Sequence, residues 1–414
     1  MPFGALLFLF GVKILEKKTS VFSNSLIWFG AAISIAEIMT GTFLAPLGMA
    51  KGIAAVLLGH LIGCTLLYLA GLIGARTELS AMDTVKISFG RHGSYFFSGM
   101  NIIQLVGWTA IMIASGAAAA NFIFDLGGIW VWCVIICVLI LVWIVAGLKN
   151  INKLNIAAMT ALFVLTVVLS VIVFSKNSLG AGWSTSLVAS DTMRFGTAVE
   201  LSVAMPLSWL PLISDYTRHA AKKKKATLAS AAVYFLASSW MYIIGLAAAL
   251  YTGESDIAKI MSGARLGIAG IIIIIFSTVT TTFLDVFSAG ASAESISNKA
   301  KEKPVSIAVC VLGTVFAVFA NVSQFEPFLY VIGSVFAPMI SILITDVFIL
   351  KNDRSSSSYN IKNLVLWLIG FVIYRIFMQT DTPVGSTLPV MIIISALCIA
   401  ADKIGGKISD GKNS

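Results

Sequence analysis

Apolar residues run along this chain in nearly uncharged stretches of membrane-crossing length, separated by short polar connections. The stretches fall at about 25–49, 52–75, 95–123, 129–147, 154–175, 196–214, 228–251, 265–290, 304–323, 327–350, 361–377 and 386–402. A helix needs roughly 20 apolar residues to cross a hydrocarbon core of about 30 Å, so the pattern predicts twelve transmembrane helices and an all-α membrane protein. Residues 1–24 read as a cytoplasmic or interfacial lead-in and 403–414 as a cytoplasmic tail. The stretch FGALLFLFGV (3–12) is too short to span, and no cleavage pattern follows it before Lys17-Lys18.

The polar interruptions organise the spans. The most hydrophilic internal segment, Lys351 to Asn360, sets a ten-helix core at 25–350 apart from two further helices at 361–402. Within the core, the first span carries the run Thr40-Gly41-Thr42-Phe43-Leu44-Ala45-Pro46-Leu47-Gly48, and the sixth carries Pro206-Leu207-Ser208-Trp209-Leu210-Pro211. These helix-breaking runs occupy matching places in two five-helix halves, about 25–175 and 196–350, and a repeat with an odd number of spans re-enters inverted. The expectation is a five-plus-five inverted-repeat transporter fold with discontinuous helices 1 and 6. An unwound helix frees backbone groups that lipid cannot satisfy but a substrate or an ion can.

Composition narrows the function further. Of the 414 residues 58% are hydrophobic and 11% charged, with a mean hydropathy of +0.96, against about 25% charged residues in soluble domains. A water-soluble fold is excluded. The net charge of +9 is topological: 22 of the 28 Lys and Arg fall on the N-terminus, the even-numbered connections and the C-terminus. The positive-inside rule places both termini in the cytoplasm of a multi-pass plasma-membrane (inner-membrane) protein, so the charge implies no nucleic-acid partner. Lys222 to Lys225 could also meet anionic lipid. The five cysteines lie within spans as packing residues, and no metal cluster, nucleophile motif or cofactor motif is present, so an enzyme is not expected. A channel is disfavoured by two broken helices in a single chain, which suit occluded binding and a functional monomer.

Charged groups within spans are costly and mark candidate sites. Glu37 lies mid-span in Ser34-Ile35-Ala36-Glu37, where it could meet a ligand amine, carry a proton or pair with another helix. Glu200 precedes the sixth-span break; Asp285, deep in the eighth span, reads as structural. Asp215, Asp346 and Arg218 near span ends read as caps or ion pairs. Ser277, Thr280 and Thr281 share a helix face and offer oxygens suited to a hard cation, or to packing. Gln104 and Trp108, four apart, offer an amide and an indole to a flat heterocycle.

Four stretches together resemble one family: Gly71 to Thr77 continuing to Ser88-Phe89-Gly90-Arg91-His92-Gly93-Ser94, Gln104 to Trp108, Ile213-Ser214-Asp215-Tyr216-Thr217-Arg218, and Gly333-Ser334-Val335-Phe336-Ala337-Pro338 with Thr345-Asp346. Over about residues 25–400 the chain resembles the nucleobase-cation symporters, which include cytosine permeases and the hydantoin transporter. The resemblance implies alternating access coupled to sodium or protons, with no cofactor. It implies a sodium site at the carbonyls near Gly30 and Ser34 and the side chains of Ser277, Thr280 and Thr281. It also implies substrate contacts at Trp108, Gln104, Ser208, Trp209 and Thr282. Gln104 precedes Trp108 by four residues where cytosine permeases have three, and Pro206 and Thr282 replace an aromatic residue and an asparagine. With Glu37 and the run Trp28 to Gly48, these departures are similar to the hydroxymethylpyrimidine permease branch of thiamine salvage. The expected substrate is that aminopyrimidine, with Glu37 reading its amine edge, Trp108 stacking, and Gln104 or Ser208 reading its hydroxymethyl group. The alternative is cytosine or another nucleobase.

Overall fold

The computed structural model describes residues 18–150, most of 160–175, 193–252, 267–319, 325–380 and 382–410. The first span is two helices, α1 (Val21–Ala32) and α2 (Ile35–Phe43), bent by 50° at the break between them. A 3-10 turn, Ala45–Leu47, leads into α3 (Gly48–Thr77), then the short α4 (Ala81–Phe89), α5 (Gly93–Ile123) and α6 (Ile129–Asn150). The sixth span is α7 (Phe195–Ser208) and α8 (Leu210–Thr217), meeting at Trp209; α9 (Lys223–Thr252), α10 (Gly267–Ile296), α11 (Glu302–Phe319) and α12 (Phe325–Ile344) come next. A π-turn at Thr345–Leu350, α13 (Ile361–Phe377) and α14 (Thr387–Asp410) complete the chain.

Among the described residues eight helices are long and apolar enough to cross a membrane, or nine with the bent pair counted as one. Helices at Ile129–Val145 and α13 are slightly shorter, and Thr166–Ser175 lies at the predicted fifth span. Residues 1–17 and 411–414, part of the predicted lead-in and tail, lie outside the described residues. The outward faces carry exposed apolar side chains, such as Val134, Val138 and Val142 on α6 and Val311, Val315 and Phe316 on α11. Lipid solvates such a surface at no cost, whereas backbone polar groups there must be satisfied internally.

The packing follows the inverted repeat. Span 1 packs on span 7 and, reciprocally, span 6 on span 2; spans 2 and 7, 3 and 8, and 4 and 9 also pack together. Exchanging each span of one half for its counterpart leaves this pattern unchanged. The result is two blocks, one of spans 1, 2, 6 and 7 and one of spans 3, 4, 8 and 9, with α12 to α14 beside span 6. Inside the first block α2 and α9 meet backbone to backbone: a Cβ on Gly245 would lie 2.0 Å from the Ile38 carbonyl oxygen, and one on Gly41 2.2 Å from that of Tyr242. Small residues permit this approach where two membrane helices cross.

Connections assigned to the same side do meet. Lys18 and Lys223 both pair with Glu78, at 3.7 and 2.8 Å, and the amides of Arg91 and His92 donate to the carbonyls of Ser357 and Ser358. At the opposite end Glu200 fastens the last two helices to α7. Its carboxyl accepts from the Tyr374 hydroxyl (2.5 Å), the Thr387 hydroxyl (2.6 Å) and the amides of Ser386 and Thr387 (2.6 and 2.8 Å). The amides belong to the start of α14, where a helix favours negative charge. Glu200→Ala would orphan several buried donors, each costing about 1–3 kcal/mol. We expect it to lower the thermal unfolding midpoint of the detergent-solubilised protein markedly, and Glu200→Gln to lower it less.

Candidate functional site

The site is built around a serine. At Ile33 and Ser34 the backbone leaves the helical region, with Ser34 extended at φ −131° and ψ 157°. Ser34 is the N-cap of α2, and its hydroxyl accepts from the Glu37 amide at 3.3 Å. That amide would otherwise serve the Ile33 carbonyl, which faces α10 instead and accepts from the Ser277 hydroxyl at 2.7 Å. One turn earlier the Gly30 carbonyl accepts from the Thr281 hydroxyl at 3.4 Å. Two carbonyls and two hydroxyls therefore converge across the seam between the blocks.

This corrects the expected position of the first break. The run from Thr40 to Gly48 does not unwind the span: α2 continues through Thr40, Gly41 and Thr42, whose threonine hydroxyls bond the carbonyls of Ala36 and Met39. Gly41 serves the close contact with α9, and Pro46 opens the turn into α3. Glu37 consequently follows the break rather than preceding it. The sixth span is interrupted only at Trp209, without a bend above 40°.

Beside the carbonyl–hydroxyl cluster lies a buried cavity of about 10 Å³, bordered by Ser34, Glu37, Trp108, Trp209, Thr281 and Asp285 among others. That volume holds about one water molecule, so the closed arrangement must open for a heterocycle to occupy it. Trp108 is held edge-on by Phe325 and Phe328 at 5.7 and 5.6 Å between ring centroids, and Trp209 by Trp28 at 5.6 Å. The indole nitrogen of Trp108 is buried with no hydrogen-bond partner.

The other expected residues divide. Gln104 is buried, its amide nitrogen donating to the Asn101 side chain (2.8 Å) and the Ser208 carbonyl (3.2 Å), while its oxygen is unpartnered. The Ser208 hydroxyl is turned back onto the Met205 carbonyl at 2.7 Å, which leaves its main chain to meet Gln104. Thr280 turns away from the break: its hydroxyl bonds the Phe276 and Ser277 carbonyls of its own helix at 2.8 and 3.1 Å. Thr282 is buried with an unpartnered hydroxyl and does not border the cavity. Glu37 borders the cavity, but its carboxyl is directed at α9, where one oxygen accepts from the Tyr234 hydroxyl at 2.6 Å and the other lies 2.8 Å from the Ser238 hydroxyl oxygen.

Asp285, read from sequence as structural, borders the cavity and makes no hydrogen bond to another described residue. Ser277, Thr281 and Asp285 recur every four residues and so share one face of α10. That spacing could have assigned Asp285 to the site. Among the described residues no three His, Cys, Asp or Glu side chains form a metal-holding group.

The model of the permease family for cytosine/purines, uracil, thiamine and allantoin matches residues 13–391. The cytosine permease of Escherichia coli (strain K12) is 25% identical over 300 residues, 70% of this chain and 69% of that protein. Among solved structures, Mhp1, a nucleobase-cation-symport-1 family transporter in a closed conformation with bromovinylhydantoin bound, superposes with a TM-score of 0.78 at 19% identity. The match covers 95% of this chain and 94% of that one. A sodium-coupled sialic acid symporter in a substrate-bound outward-open state gives a TM-score of 0.70 at 13% identity, covering 95% and 90%. These relatives are permeases and transporters rather than enzymes, and the apolar helices described above suit a multi-pass membrane transporter. With the family model matched over most of its length, this chain belongs to the family of permeases for cytosine/purines, uracil, thiamine and allantoin.

Proposed function

We propose that this protein imports a planar aminopyrimidine, the hydroxymethylpyrimidine precursor of thiamine, by alternating access coupled to a cation. The observation that carries the reading is the double position of Thr281, whose hydroxyl meets the freed Gly30 carbonyl while the residue also borders the cavity. One residue thus joins an ion site to a substrate site. The ion site comprises the carbonyls of Gly30 and Ile33 and the hydroxyls of Ser277 and Thr281, four hard oxygens suited to sodium. Ser34 contributes by holding the break open, and Thr280 by shaping α10.

In the substrate site Trp108 and Trp209 offer ring faces and edges. The amine-reading role passes from Glu37 to Asp285, whose carboxyl has no other described partner and can accept from an exocyclic amine and pair with a protonated ring nitrogen. Gln104, whose amide oxygen is unpartnered, does not border the closed cavity but lies one turn before Trp108 on α5, and in this reading it accepts from a hydroxymethyl group once the pocket opens. Every one of these groups comes from a single chain, so a monomer suffices. The basic connections put both termini in the cytoplasm. Cytosine shares the amine–ring-nitrogen edge, and the similarity to a cytosine permease favours it as the second reading.

Uptake of labelled 4-amino-5-hydroxymethyl-2-methylpyrimidine into proteoliposomes tests the reading, under an inward sodium gradient and an equal choline gradient, with unlabelled cytosine as competitor. Sodium-stimulated uptake that cytosine leaves intact is expected; cytosine uptake in its place would select the second reading. Trp108→Ala is expected to weaken substrate affinity about tenfold or more, since stacking contributes about 1–3 kcal/mol per ring. Ser277→Ala combined with Thr281→Ala is expected to abolish the sodium stimulation, measured as the ratio of uptake in sodium to uptake in choline.

A further inference from the structure

A chain of buried hydrogen bonds crosses the first block from α2 through α9 to α3. The Tyr234 hydroxyl meets one Glu37 oxygen at 2.6 Å, and the Ser238 hydroxyl meets the other at 2.8 Å. The same Ser238 oxygen lies 2.6 Å from Nε2 of His60, and Nδ1 of His60 lies 3.0 Å from the Val56 carbonyl oxygen. Glu37, Tyr234, Ser238 and His60 are all fully buried.

The hydrogens along this chain do not balance. Each of its contacts needs one hydrogen. A carbonyl can only accept, so Nδ1 of His60 must carry a hydrogen for Val56. In a neutral imidazole Nε2 is then an acceptor and takes the one hydrogen of Ser238, leaving the serine with nothing to give Glu37. An ionised Glu37 would face a bare serine oxygen at 2.8 Å, oxygen against oxygen. One added proton resolves the conflict: a protonated Glu37 donates to Ser238, Ser238 donates to His60, and His60 donates to Val56.

We propose that Glu37, Ser238 and His60 form a proton-binding site carrying one exchangeable proton, and that this proton is a coupling cation beside the ion held at Gly30 and Ile33. The coupling half rests on the transport reading above; the binding half does not. The proton sits on Glu37 rather than on His60, because the all-neutral arrangement avoids burying an ion pair. It exchanges through the cavity that Glu37 borders, whenever that cavity opens to either side.

The other titratable groups facing the chain supply no positive charge that would hold Glu37 ionised. They are Tyr242 on α9, its ring 4.7 Å from that of His60, Cys64 one turn along α3 from His60, and Asp285 across the cavity on α10. Glu200 on α7 is engaged by Tyr374 and Thr387, and α5 presents no titratable side chain at the cavity. Among the described residues no lysine or arginine borders the cavity.

Infrared spectra of the purified protein at pH 7, where an exposed carboxyl is ionised, test the binding half. The wild type should show a deuterium-sensitive band of a protonated carboxylic acid that is missing in Glu37→Gln. The amide of that variant accepts from Tyr234 and donates to Ser238, preserving the bonding without an acid proton. Identical carboxylic-acid bands in the two proteins would overturn the proposal.

The wild type alone tests the coupling half, in vesicles containing a pH dye and no sodium on either side. An inward pH gradient of one unit should drive accumulation of labelled pyrimidine or cytosine toward about tenfold, the limit for one proton per substrate, with acidification of the lumen. In matched vesicles given an inward sodium gradient instead, uptake without any lumen acidification would remove the proton's coupling role. No uptake of either compound under any gradient would defeat the transport reading, while the infrared comparison would still decide proton binding.

Discussion

Everything in this structure depends on what happens to backbone carbonyls that lose their helical partners inside a membrane. Lipid offers them nothing, and an orphaned group costs several kcal/mol in hydrocarbon. At Ile33 and Ser34 the first span leaves the helical path. The serine caps α2, while Ser277 and Thr281 on α10 supply the hydrogens that the Ile33 and Gly30 carbonyls would otherwise lack. In the proposed reading a cation takes over from those hydroxyl hydrogens as the carbonyls' partner, so the device that keeps the break tolerable doubles as the ion site.

The same division of labour recurs around the site. Within the first block Glu37 is engaged by Tyr234 and Ser238, and glycines bring α2 and α9 together. Groups across the seam are left open: the Trp108 nitrogen, the Gln104 oxygen and the Asp285 carboxyl have no described partner. Buried polar groups are normally satisfied, and the proposed reading gives the two that border the cavity, Trp108 and Asp285, a ligand as their partner.

Legibility in the sequence followed the strength of each local signal. Hydropathy marked the spans because a twenty-residue apolar run has few alternative readings. The position of the first break was misread because Gly and Pro dominate break signals, whereas Ser34 ends a helix by capping the next one, which sequence shows only as one serine among apolar residues. Ser277 and Thr281 were legible from their four-residue spacing, but Thr280 was not separable from them, since rotation about the helix axis turns it onto its own backbone. The partners of Glu37 were illegible in principle: Tyr234 and Ser238 lie about two hundred residues away and reach it only through the inverted-repeat packing. Asp285 carried the same four-residue signal from Thr281, but a lone carboxylate deep in a span reads equally well as a structural group.

The hydroxyl–carbonyl pairs lie on the seam while the Glu37 chain lies wholly within one block, and this asymmetry has a thermodynamic consequence. In the proposed reading, an ion bound across the seam would stabilise the closed alignment of the blocks, so part of its binding energy would be spent on the arrangement that also encloses a ligand at the cavity. Linkage makes that effect mutual: whatever the ion adds to ligand affinity, the ligand adds to ion affinity by the same factor. A group within one block moves with it as a body and contributes no such term through alignment alone. Its influence on the ligand must come from its charge, felt across the few ångströms of low-dielectric cavity wall that they share.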